Sequence, residues 1–177
     1  MRKFLVGLLL SFFSLFMFFT PVAWSMEGGG DYGEFQRLML TPLEKLTEKA
    51  DRILKNKYER TKDSETSENY MGYSIPYFVM TSESSYVAYR IATAKPQLLA
   101  RYECYDSCDG RVIRNLLGCF FKDGKPGDYI DLAASCPICQ GEAISIFLWD
   151  EIGAPPAEII GGLRFLYDPA LHETAPP

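Results

Sequence analysis

The chain carries its five cysteines at positions 104, 108, 119, 136 and 139, all in its second half. Four of them fall into two close pairs, Cys104-Tyr-Asp-Ser-Cys108 and Cys136-Pro-Ile-Cys139, with Cys119 between them. Thiols three or four residues apart can turn two sulfurs toward one ion. Two such pairs separated by 27 residues have the spacing of a four-cysteine zinc ribbon. The spacing therefore predicts a metal site for zinc or copper built from Cys104, Cys108, Cys136 and Cys139, with Cys119 left over. Two other chemistries use the same residues: structural disulfides that brace a scaffold, and a redox-active pair at Cys136 and Cys139. Because five is odd, intrachain bridges alone cannot account for every thiol.

The second pair opens a predicted helix. Pro137 suits the first helical position, Cys136 then caps it, and Ile138, Ala143, Ile144, Ile146, Phe147 and Leu148 carry an apolar run toward Ile152 and Gly153. A sulfur at a helix N-terminus faces unpaired N–H groups and the positive end of the dipole, which favours the thiolate as ligand or nucleophile. Thiol oxidoreductases present Cys-x-x-Cys in this way, but the βαβ alternation expected with them is missing here. Haem attachment is excluded by Gln140, which stands where a histidine is required. The single histidine, His172, falls in a tail ending Ala-Pro-Pro and reads as solvated rather than as partner to a catalytic cysteine. With no Ser-His-Asp set, carboxylate pair or phosphate loop in view, the sequence points away from an enzyme.

The elements around the cysteines read as mainly α. Met1-Arg2-Lys3, the apolar run Phe4 to Phe19, and the ending Pro21-Val22-Ala23-Trp24-Ser25 form a signal peptide over 1–25, cut before Met26. The expected location is the periplasm or the exterior, with a membrane attachment only if that segment is retained. Residues 26–41 read as a flexible leader, with an early turn near Phe35 to Leu40. A helix over 42–60 follows, with Thr41 as cap, Pro42 inside it, Glu44 reaching back, and Leu43, Leu46, Ala50, Ile53 and Leu54 on one face. Residues 61–70 are polar and read as a linker; 71–168 form a small helical domain with irregular cysteine-bearing loops, and 169–177 a tail. Within that domain a short strand is expected at Tyr77 to Met80, a serine-capped helix from Tyr86 to Ala94, and another short helix from Lys95-Pro96 through Arg101. The helix after Cys136 is expected to lay Ile138, Ile146 and Phe147 on those two. The formal charge of −5 becomes −7 without the signal peptide, which has two basic and no acidic side chains. Such a balance excludes nucleic acid as a partner and leaves a protein of the cell envelope as the expected one.

From Ala88 to about Tyr167 the residues resemble the exported bacterial proteins named for a PCYCGC motif. The resemblance is carried by Ala88-Tyr89-Arg90-Ile91-Ala92, Pro96-Gln97-Leu98-Leu99, Cys104-Tyr105 with Cys108, Leu116-Leu117-Gly118-Cys119-Phe120, and most specifically Cys136-Pro137-Ile138-Cys139-Gln140-Gly141-Glu142-Ala143. It implies an amphipathic helix after Cys136, a second helix from near Pro156, and metal binding. Here Glu103 replaces the proline of the motif, Asp106 its middle cysteine and Ser107 its glycine, and the Gly-His that follows is absent. An Asp106 oxygen in place of sulfur would move metal preference from Cu(I) toward zinc. A shorter likeness, of Cys-Pro-Ile-Cys-Gln to the thiol pair of the cytochrome c maturation reductant, breaks at Ala134-Ser135.

Overall fold

The computed structural model describes residues 31–58, 69–106 and 115–172. Their architecture is mainly α: helices α1 (Tyr32–Met39), α2 (Leu43–Lys57), α3 (Glu83–Ala94), α4 (Pro96–Leu99), α5 (Pro137–Glu151), α6 (Pro156–Tyr167) and α7 (Pro169–His172). The described strands are a minimal hairpin, β1 (Asn69–Tyr70) and β2 (Tyr73–Ser74). Met71 and Gly72 take φ of 50° and 83° at its turn, the left-handed pair that a two-residue hairpin needs.

Helix α5 is the axis of the fold. Every residue from Cys139 to Trp149 is buried, which is the behaviour of a helix apolar on all sides and enclosed by neighbours. Helices α1, α2, α3, α4 and α6 all pack on it. It is thus not amphipathic over Cys139 to Trp149, where no face is left to solvent. Ile146 and Phe147 are fully buried, but Ile138 in the first turn is 38% exposed, so its expected place in the α3 contact is corrected. Tyr58, the residue closing α2, places its ring 6.1 Å from that of Phe147.

Two glycines set how closely the layers approach. A Cβ on Gly141 would stand 2.7 Å from the Tyr167 hydroxyl, so the end of α6 lies directly on the first turns of α5. A Cβ on Gly162 would meet Trp149 Cη2 at 2.9 Å and Phe35 Cζ at 3.0 Å, where α1, α5 and α6 converge. Across the molecule, buried Arg90 of α3 lies 2.6 Å from Asp51 of α2, with its guanidinium 5.2 and 5.0 Å from the ring centroids of Tyr70 and Tyr86.

Several local expectations shift. The chain is already helical from Tyr32, capped by Asp31, because Phe35 and Leu38 find the core. Thr41 does not cap α2; its hydroxyl donates to the Arg37 carbonyl at the end of α1, and Pro42 stands at the cap position. Tyr77–Thr81 is a 3-10 turn rather than a strand, and only Val79 in it is buried. Ser82 caps α3 by accepting from the Ser85 N–H at 3.0 Å. Residues 1–25, most of the linker and Cys108 lie outside the described residues, and among those described no helix is long and apolar enough to cross a membrane.

Candidate metal centre

Three stretches of chain meet at the first turn of α5. Cys136 is its N-cap, with φ −107° and ψ 101°, and the Cys139 N–H donates to the Cys136 sulfur at 3.2 Å. Pro137 follows at the position where a missing N–H costs nothing. Gln140 anchors this turn: its Nε2 donates to the carbonyls of Ala133 and Ala134 at 2.8 and 3.0 Å, and its Oε1 accepts from Ser84 at 2.7 Å. The cap is thereby fixed to both α5 and α3.

Cys104 comes from the segment leaving α4. Its neighbour Tyr105 donates its backbone N–H to Glu142 Oε1 at 2.7 Å, which holds the segment against α5. Cys119 ends a 3-10 turn, Leu116–Cys119, capped by Asn115, and the Leu116 N–H is bonded to the Tyr102 carbonyl at 2.9 Å. That one bond returns the chain from 115 to the side of Cys104.

The sulfurs of Cys104, Cys119 and Cys139 all lie within 4.8 Å of one another, and a second group, Asp106, Cys136 and Cys139, meets the same measure. Ligands ~2.3 Å from a tetrahedral ion sit about 3.8 Å apart, so only small closure is needed. Cys104 and Cys139 are already at 3.7 Å, and the Cys136 sulfur donates to Asp106 Oδ2 at 3.0 Å. Cys119 and Cys139 are fully buried, while Cys104, Asp106 and Cys136 are half-buried. No disulfide joins one of these four cysteines to another.

Of the four expected ligands, Cys139 belongs to both groups, Cys104 and Cys136 fall in different ones, and Cys108 is outside the described residues, so the expected single four-sulfur set is not what the described residues form. Cys119, left over by spacing, stands inside the three-sulfur group. The Cys139 thiol is pushed up, first by its hydrogen bond to Cys104, whereas the hydrogen bond from Cys139 draws the Cys136 thiol down. Glu142 was missed, although it is the one acidic residue inside an otherwise uncharged apolar stretch, Ile138 to Trp149. Burial, with the Cys104 sulfur beside it, raises its carboxyl to about 9, and Oε2 is buried without a hydrogen-bond partner. No family model, curated protein or solved structure matches the chain.

Proposed function

We propose that this is an exported protein that binds a soft metal ion on its cysteine cluster and has no catalytic activity of its own. The observation that carries the reading is the three-sulfur group, Cys104, Cys119 and Cys139, with two members fully buried. Three mutually close thiols are a donor set for Cu(I) or zinc, and hard cations gain little from them. Copper(I) is the better occupant, since it accepts three sulfurs without a fourth ligand and Asp106 belongs only to the outer group. Each thiol gives up its proton on binding, so uptake releases protons and is favoured as pH rises. The signal peptide over 1–25 supports export, and the stretch Cys136 to Ala143 supports kinship with the PCYCGC-motif proteins. An envelope protein would be the source or recipient of the ion.

A second reading, thiol-disulfide exchange by Cys136 and Cys139, is favoured by the helix-capping position of Cys136 and its lowered pKa. Metal analysis and a thiol count on protein purified anaerobically from the exporting compartment separate the two. Stoichiometric copper or zinc, with thiols exposed by a chelator alone, supports the metal site. A metal-free protein whose thiols appear only after a reductant overturns it.

A further inference from the structure

The two ligand groups share Cys139 alone, and they differ in both donor type and exposure. The outer group offers two sulfurs and one carboxylate oxygen, with Asp106 and Cys136 half-buried. The inner group offers three sulfurs, with Cys119 and Cys139 fully buried. Building on the metal reading above, we propose that Asp106 and Cys136 receive Cu(I) from a thiol-bearing donor and pass it, through Cys139, to the buried Cys104–Cys119–Cys139 group that holds it.

The direction follows from the donors. A soft cation gains by exchanging an oxygen for a sulfur, so the ion moves downhill from the outer group to the inner one. Cys139 makes the exchange continuous, because it ligates in both positions and the ion is never released to water. Protons balance at each step: as the ion arrives, the donor's sulfur–copper bonds break and its thiolates take up the protons that Cys136 and Cys139 lose. As the ion moves inward, Cys104 and Cys119 lose theirs, one going to Cys136 as its bond to copper breaks and the other to solvent. Copper remains Cu(I) throughout, so no electron is required. The placement of Cys136 serves the receiving step, since an N-cap sulfur faces the positive end of a 15-residue helix and is fixed by the Cys139 N–H at 3.2 Å.

The test is uptake of Cu(I) from its coloured bicinchoninate complex by the full reduced protein, read by stopped flow for rate and by competition at equilibrium for affinity. Cys136→Ser keeps a good helix cap and should fold. It is expected to slow uptake about tenfold while leaving affinity within about threefold of wild type. Asp106→Asn should slow uptake in the same sense. Cys119→Ala should begin uptake at the wild-type rate and lose about a hundredfold in affinity. The relay is overturned if Cys136→Ser loads as fast as wild type. It is overturned equally if that variant loses as much affinity as Cys119→Ala, which would mean one undivided site, or if wild type binds two ions. Wild-type protein that takes no copper or zinc contradicts the metal reading itself.

Discussion

Glu142 shows how one residue can shape the site although nothing in the stretch Cys136 to Ala143 marks it out for that role. Its carboxyl is fully buried, accepts the Tyr105 N–H at 2.7 Å and so holds Cys104 in place. Burial raises its pKa from 4.5 to about 9, so the folded protein keeps a proton there that the unfolded chain has lost. Between these values the native state binds more protons than the unfolded state, and stability therefore falls as pH rises. Full stability is present below the unfolded value and is lost through the folded one, with a slope of up to about 1.4 kcal/mol per pH unit. Glu142→Gln keeps an oxygen for Tyr105 and cannot ionise. Urea unfolding of the metal-free protein from pH 5 to 9 should show the decline in wild type and a flatter profile in the variant. Equal slopes would mean that Glu142 is ionised in the fold.

Among the elements, α5 depends on close approach by α6 and on the α2–α3 clamp behind it. Gly141→Ala forces a Cβ to 2.7 Å from the Tyr167 hydroxyl, and overpacking of this kind costs about 1–3 kcal/mol. Tyr167→Phe in the same chain removes the nearest atom and should recover part of that loss, a coupling that a double-mutant cycle on unfolding free energies measures. At the other face, Asp51→Ala removes a 2.6 Å ion-pair partner of the buried Arg90 guanidinium and should destabilise the fold, by at most about 3–5 kcal/mol. A denaturation midpoint within error of wild type would show that the remaining contacts of Arg90, those with the Tyr70 and Tyr86 rings among them, suffice to hold the cation. These elements were partly legible in advance. Pro137 and Gly153 mark the ends of α5, and the serines at 82, 84 and 85 announce a cap for α3, which the structure assigns to Ser82, because caps are local chemistry written in adjacent residues. The burial of α5 on every side was not legible, since periodicity in one helix does not reveal how many neighbours will cover it. Likewise Thr41 could cap α2 or close α1, and only the packing of Phe35 and Leu38 decides for α1.

At the level of the whole molecule, the cluster exists because the core brings together residues 15 to 35 positions apart in sequence. The pair Cys136 and Cys139 could be read from spacing, whereas Cys119 could not, because its place depends on the bond between Leu116 and Tyr102 that turns the chain back. A metal that binds only this folded arrangement must stabilise it, by about 2.7 kcal/mol when the ion stands at a hundred times its dissociation constant. Thermal unfolding with and without Cu(I) should display that rise, and Cys119→Ala should abolish most of it. No shift in wild type would mean that the ion does not distinguish folded from unfolded protein. The most direct test of the three-sulfur centre is X-ray absorption at the copper edge on anaerobically loaded protein, with copper and protein quantified in the same sample. We expect one Cu(I) per chain in a shell of three sulfurs, lost in Cys119→Ala; a shell dominated by oxygen or nitrogen, or an unchanged shell in that variant, would contradict it.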